Sequence, residues 1–207
     1  MKQLEELVTI TGAAATDPVR NVSLRGLKIT GSRPTFLTRP FKAPSGGDWS
    51  FANTAAVVAE GTEGLIVDGC SMHELGGNAL LIRGWNRGAL VSNSSFDRLG
   101  DNAIVTCGNA QLADLSERDV PANTTIVGNI FSNLGIEVKQ AGGLYSALSA
   151  NHTLRSNIFF NLPRAAVNIN DGAHGGHELV HNLFFATVRE TSDHVSEYRA
   201  TAGTSIE

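Results

Sequence analysis

The chain has 207 residues, of which 42% are hydrophobic and 17% charged, with a formal net charge of −4. This length allows one domain with a core, and the weak negative charge excludes a surface built to bind nucleic acid. The 22 glycines and 16 asparagines favour many short strands and tight turns over a helical bundle, because both residues tolerate positive φ. The chain contains no apolar run long enough to cross a membrane and no apolar leader segment, so we expect no membrane partner.

The first predicted strands lie in "NVSLRGLKITGS", which starts at Asn21 and alternates apolar with polar residues. Residues 32–54 follow as a long excursion that contains three of the six prolines. We predict that this excursion is a surface loop. Cys70 and Cys107, farther along, belong to no metal or redox motif, and we expect two buried thiols.

A repeated pattern dominates the chain from Leu65 onward. Each copy has an apolar alternation, a small or Asn position, and a large apolar residue two positions later. Successive large residues are 24, 35, 28 and 25 positions apart, and they are Met72, Phe96, Phe131, Phe159 and Phe184. Ile29 takes the same place in an earlier, weaker copy. Periods in the twenties made of strands and turns predict the coils of a β-solenoid, the longer steps carrying insertions within Asn109–Ala122 and Gly135–Lys139.

The small or Asn position of the repeat is expected at one corner of successive coils. It is occupied by Cys70, Ser94, Asn129, Asn157 and Asn182. Stacked about 4.8 Å apart, the three asparagines are predicted to form a hydrogen-bonded ladder. The large apolar residues are predicted to stack as a column in the core.

The phrases "SNSSFDRLGDNAI", "GNIFSNLG" and "SNIFFNLPRAAVNI" resemble those of right-handed parallel β-helix proteins of the pectate-lyase-like group. The resemblance implies an all-β, right-handed parallel β-helix of about six coils over residues 1–194. It also implies a scaffold that faces carbohydrate, as in lyases, hydrolases, epimerases and binding solenoids. Residues 195–207 fit no coil, and we therefore expect an irregular tail and a chain shortened from a longer protein. Localisation and oligomeric state stay open.

Candidate site residues are expected on an outward face that becomes polar along the solenoid. Leu80, Ile104 and Val167 are predicted to point inward, and Leu81, Val105 and Asn168 outward. A step of 25 residues would place Arg189 above Arg164 and Asp193 above Asn168. The predicted cluster also includes Asn170, the glycine-rich loop with Asp171 and His174, and then Glu190 and His194. His152 and His181 are instead assigned to exposed turns.

Two reactions fit this cluster. A lyase or epimerase acting on a uronan needs a base and a group that acidifies the proton beside the substrate carboxylate. The predicted catalytic residues are Asp171, His174, His194, Arg164 and Arg189, and the predicted substrate-binding residues are Asn168, Asn170, Glu190 and Asp193. Asp171, Glu190 and Asp193 offer oxygen ligands for Ca²⁺. A glycoside hydrolase would instead use Asp171 with Glu190 or Asp193 as its two carboxylates.

A structural interpretation stands beside the catalytic one. Asp171-Gly172 is an ordinary turn dipeptide, and Arg164 and Arg189 could pack along the surface. The sequence contains no familiar lyase or polygalacturonase motif. A non-catalytic solenoid that binds polysaccharide or serves a structural role is therefore the alternative function.

Overall fold

The computed structural model describes residues 4–36, 41–44, 49–109, 119–170, 174–191, 197–199 and 205–206. Three parallel β-sheets run along the molecule, and the chain visits them in the same cyclic order. Each circuit adds one strand to each sheet, which is the architecture of a parallel β-helix. The fold class predicted from the repeat is confirmed. The described part of the chain contains no helix that could span a membrane.

Sheet 1 is the broadest of the three. Its strands are β1 (Val8–Thr11), β2 (Val19–Arg20), β7 (Ala55–Glu63), β10 (Asn78–Arg87), β13 (Ile104–Cys107), β14 (Pro121–Ala122), β17 (Leu144–Ala147), β20 (Val167–Ile169) and β23 (Glu197–Arg199). The main order is β1-β7-β10-β13-β17-β20-β23, while β2 pairs with β7 and β14 pairs with β10.

Sheets 2 and 3 are built from short strands that follow each sheet 1 strand. Sheet 2 contains β3 (Ser23–Arg25), β8 (Ile66–Asp68), β11 (Leu90–Ser92), β15 (Thr125–Val127), β18 (Thr153–Arg155), β21 (Glu178–Val180) and β24 (Ser205–Ile206). Sheet 3 contains β4 (Lys28–Thr30), β9 (Ser71–Leu75), β12 (Ser95–Leu99), β16 (Ile130–Ser132), β19 (Ile158–Phe160) and β22 (Leu183–Phe185). A separate antiparallel hairpin joins β5 (Phe41–Lys42) to β6 (Phe51–Ala52).

The predicted large apolar residues form one column inside the solenoid. Strand pairing places Ile29, Met72, Phe96, Phe131, Phe159 and Phe184 in register. The Phe131 and Phe159 rings are stacked with centroids 4.5 Å apart and planes 5° from parallel. In-register parallel strands place identical side chains at one strand spacing, so a repeated Phe becomes a ring stack.

The corner between sheets 2 and 3 is held by side-chain amides. Asn157 Nδ2 donates to Asn182 Oδ1 (2.9 Å) and to the Ile126 carbonyl (2.9 Å). Asn157 Oδ1 in turn accepts from Asn129 Nδ2 (3.1 Å) and from the Asn129 backbone N–H (3.0 Å). Each amide therefore bonds to the next coil and to the strand backbone, which satisfies polar groups that the turn would otherwise bury.

The corners turn through left-handed backbone, which accounts for the glycine and asparagine content. At the sheet 1–2 corner, positive φ recurs at one column of residues, namely Asn21, Gly64, Gly88, Asn123, Asn151 and Gly176. Only Gly adopts such angles without steric penalty, and Asn tolerates them better than other side chains. The need for positive φ at the corners thus explains why the chain is rich in glycine and asparagine.

The interior also contains a polar cluster near the sheet 1–2 corner. His152 Nε2 lies 3.2 Å from Thr106 Oγ1, and the His177 Nδ1 atom accepts the His152 backbone N–H at 3.2 Å. His152 is buried, so its assignment to an exposed turn is wrong. Burial, with the nearby His177, lowers the pKa of His152, and burial, with the nearby His174, lowers the pKa of His177 to about 4.

Candidate functional site

The outward face of sheet 1 has the predicted register but not the predicted exposure. Leu81, Val105, Tyr145 and Asn168 occupy one column, one position beyond the inward Leu80 column. All four side chains are fully buried, so the expectation that Leu81 and Val105 face solvent is wrong. The 32–54 excursion is the physical cause, because its return segment lies on this face.

That return segment, residues 49–54, is called the strap below. Phe51 packs on Tyr145 with ring centroids 5.2 Å apart, and Trp49 lies 6.3 Å from the same ring. Asn78 Nδ2 donates to the carbonyls of Ala52 (2.8 Å) and Thr54 (2.9 Å). The excursion predicted as a surface loop therefore contributes two large aromatic residues to a second buried apolar cluster.

The two predicted arginines do not stack on each other. Arg164 is 3% exposed, and its guanidinium lies 4.4 Å from the centroid of the Trp49 ring beneath the strap. Arg189 is exposed and donates to Asn161 Oδ1. The Arg164 side chain therefore packs on Trp49 and not on Arg189, because cation–π packing draws it into the buried cluster.

Glu190 and the last coil also depart from the predicted register. The Glu190 carboxylate pairs with Lys139 at 3.0 Å, at the sheet 3–1 corner between β22 and β23. Asn168 pairs with Tyr198 and not with Asp193, because the last circuit is longer than 25 residues. Asp171, Asp193 and His194 lie outside the described residues. In the described part of the chain, no three His, Cys, Asp or Glu side chains converge as metal ligands, so the Ca²⁺ site stays a prediction.

Asn168, Asn170 and His174 are the predicted residues that the structure brings to one edge. Asn168 is fully buried, and Asn170, two positions later on the same face, is 7% exposed. Within the described ranges, neither the Nδ2 nor the Oδ1 atom of Asn168 has a hydrogen-bond partner, and the same is true of the half-buried His174 Nε2. These unpartnered polar atoms lie where β20 reaches the sheet 1–2 corner.

Asp101 is a buried acid that the sequence patterns did not single out. It is fully buried at the start of β13, where its Oδ2 accepts the Ala52 N–H at 3.4 Å and its Oδ1 accepts from Asn102 Nδ2 at 2.8 Å. Burial raises its pKa to about 7, against the opposing effect of these hydrogen bonds. An Asp inside the repeated phrase "LGDNAI" looks like a turn residue, so only the position of the strap reveals its burial.

A separate groove lies at the sheet 3–1 corner. It has a volume of about 330 Å³ and is lined by residues from four successive circuits, among them Ser32, Glu74, Arg98, Ile136 and Glu137. Arg98 pairs with Glu74 at 3.3 Å on its rim. The predicted site residues do not line this groove.

Comparison with known proteins gives a fold and no family. No family model matches the chain, and no curated protein matches its sequence. One solved structure, described as "Glycoside hydrolase", superimposes with a TM-score of 0.81 at 14% identity. The match covers 97% of this chain but 40% of that one. The chain therefore spans less than half of that protein's length, and at this identity the likeness shows the fold alone.

Proposed function

We propose that this protein binds an acidic polysaccharide, a uronan, along the edge of sheet 1 where its strands reach the sheet 1–2 corner. In the described residues this edge includes Asn170 and His174, with Asn168 beneath them. The resemblance to pectate-lyase-like proteins supports the choice of substrate class. The described structural neighbour is consistent with a carbohydrate partner.

The single observation that carries the proposal is that, among the described residues, neither the Asn168 amide nor the His174 Nε2 atom has a hydrogen-bond partner. A buried polar group without a hydrogen bond costs about 1–3 kcal/mol, so native proteins rarely retain one without use. A sugar offers hydroxyl donors and acceptors at close spacing. A uronate adds a carboxylate that can accept from an amide N–H.

The direction of the ligand follows from the strand spacing. Parallel strands place equivalent residues about 4.8 Å apart along the solenoid axis. This spacing is close to the length of one sugar unit, so a linear polymer lying along the axis would meet a new strand at each unit. We infer that the polysaccharide runs parallel to the axis.

Binding without turnover is the form that the described residues support best. His174 is available as a base, but Arg164 is held under Trp49 and Glu190 is paired with Lys139. Arg164 is therefore not placed to acidify a substrate proton near His174. Lyase, epimerase or hydrolase activity would need the contributions predicted for Asp171, Asp193 and His194.

The test is a panel of uronans and neutral glycans, with and without Ca²⁺, in which binding and product formation are followed together. We expect micromolar to millimolar binding of a uronan, weaker binding of a neutral glycan, and at least a tenfold loss in Asn170→Ala and His174→Ala. Glu137→Gln, in the groove at the opposite corner, is the matched control and should bind normally. Equal loss in the control, or no uronan binding by the folded protein, contradicts the proposal.

A further inference from the structure

The sheet 1–2 corner holds a second polar cluster where β10 ends. The pairing of β10 with β7 shifts register between Arg83 and Asn86, and Gly84 has φ of 64° at this shift. Such a bulge re-aims the side chains around it. Trp85 consequently stands at the corner half-buried, whereas Trp49 is fully buried under the strap.

The residues around Trp85 hold one another in place. Arg83 Nε lies 2.7 Å from Glu60 Oε2, and Asn109 Nδ2 donates to Glu60 Oε1 at 3.1 Å. Asp119 Oδ1 accepts the backbone N–H of Trp85 at 3.2 Å. Burial acts to raise the pKa of Glu60, but hydrogen bonds from Arg83 and Asn109 outweigh it, and the pKa is lowered. The cluster is therefore ordered and its Glu60 carboxylate is ionised.

Among the residues that the structure describes, basic side chains outnumber carboxylates at this corner by one. Lys42 of the β5–β6 hairpin is exposed and acts electrostatically on Glu60, Arg83 pairs with Glu60, and the Arg87 guanidinium lies 5.1 Å from the Trp85 ring centroid. Glu63, the strand partner of Arg87, also lies here and pairs with Arg20 at 3.0 Å, so the described residues bring four basic side chains against the three carboxylates of Glu60, Glu63 and Asp119. A net positive charge beside a half-buried indole suits a sugar that carries a carboxylate, since the ring contributes apolar surface and the cations attract the anion.

This cluster lies on the same edge of sheet 1 as Asn170. Arg83 pairs with Cys107, and Cys107 pairs with Ala147. Ser146 pairs with Ile169, so the next residues in the two strands, Ala147 and Asn170, occupy equivalent positions. The two positions are thus three strand spacings apart, roughly 14 Å along the axis.

We propose that Trp85, with Lys42, Arg83 and Arg87, forms a uronate subsite on the same polysaccharide path as Asn170 and His174. The subsite rests on the proposed function, because a ligand at both positions must be an axial uronan chain. It adds a second contact region, an aromatic platform, and a reason for preferring acidic to neutral sugars. An oligomer that spans both regions should bind more tightly than one that reaches a single region.

The experiment uses the two tryptophans of the chain. Acrylamide quenching of wild-type fluorescence reports mainly on half-buried Trp85, since Trp49 is 1% exposed. We expect a six-unit oligogalacturonate to reduce this quenching, and a neutral oligosaccharide of equal length to leave it unchanged. Trp85→Ala should weaken hexamer binding at least tenfold, Trp85→Phe less, and Lys42→Gln about threefold.

The outcomes separate the two proposals. A hexamer that binds the wild-type protein and depends on His174, but leaves quenching unchanged and binds Trp85→Ala within twofold, overturns the subsite and leaves the proposed function standing. If wild-type protein binds no uronan, both proposals fail. If Trp85→Ala does not fold, as judged by the loss of its thermal transition, two other measurements test the subsite. The subsite is overturned if the hexamer leaves the quenching of wild-type fluorescence unchanged and Lys42→Gln binds the hexamer as tightly as wild type does.

Discussion

At the scale of single residues, two buried titratable groups give the molecule opposing responses to pH. Asp101 has a raised pKa of about 7, and His177 has a lowered pKa of about 4. Both groups are held neutral by burial, and neither has an ion pair among the described residues. Their effects on stability therefore have opposite signs between about pH 4 and 7.

Asp101→Asn should stabilise the protein in alkaline solution. Between the ordinary carboxyl pKa of 3.8 and about 7, the folded protein holds a proton that the unfolded chain has lost. Stability contributed by neutral Asp101 is thus present at low pH and is lost as pH rises to 7, by roughly 4 kcal/mol. In urea unfolding, the variant should exceed wild type at pH 8 and equal it at pH 4. A variant that is less stable at pH 8 would contradict the account.

His177→Gln should make the protein less sensitive to acid. The folded pKa of about 4 lies below the ordinary 6.5, so the unfolded chain binds the proton first as pH falls. Stability is present above pH 6.5 and declines as pH falls towards 4. The variant should lose less stability than wild type between pH 7 and 5 in the same unfolding measurement. If the variant and wild type lose the same free energy of unfolding between pH 7 and pH 5, His177 is not held neutral by burial.

At the scale of elements, the Asn ladder should be strongest in its middle. Asn157 bonds to the coils on both sides, whereas half-buried Asn182 receives bonds from Asn157 and donates to the Leu154 carbonyl. Asn157→Ala should cost about 2–4 kcal/mol, because it leaves several buried partners unsatisfied, and Asn182→Ala about 1 kcal/mol. Denaturant titration of both variants checks the order. Equal losses would mean that the corner is held mainly by backbone pairing.

The elements also show what the sequence could predict and what it could not. Residues inside the repeat were placed correctly, since Phe96, Phe131 and Phe159 recur at one phase of a coil and parallel pairing preserves that phase. The fate of the outward face depended on a segment outside the repeat. Two features of the sequence indicated that the excursion covers this face. The face carries apolar Leu81 and Val105, and the excursion carries the aromatic residues Trp49 and Phe51.

The candidate site was predicted less well, because its position depends on departures from the regular repeat. Asn168, Asn170 and His174 lie towards one edge because Asn168 is in β20 and the other two residues follow that strand. Arg189 and Asp193 were placed by a constant step of 25 residues. For Asp193 the step fails because the last circuit is longer, as the pairing of Asn168 with Tyr198 shows. Trp85 was missed because a bulge, which a periodic pattern cannot reveal, sets its direction.

At the scale of the whole molecule, the solenoid presents different chemistry on each side. The strap covers the middle of sheet 1. The edge of sheet 1 that adjoins the sheet 1–2 corner carries the polar residues of the proposed path. The outer face of sheet 3 becomes apolar in its last strands, where Leu183 and Phe185 are about half exposed. The rings of Phe160 and Phe185 stack on each other on this face, with centroids 5.1 Å apart.

The measurement that tests the central claim most directly is hydrogen–deuterium exchange of the whole protein with and without a saturating oligogalacturonate. The account predicts slower exchange in two regions on the same edge, around residues 83–87 and 168–177, with no change in the sheet 3 strands. Protection confined to sheet 3 or to the groove lined by Glu74 and Glu137 would place the ligand elsewhere and contradict the proposed path.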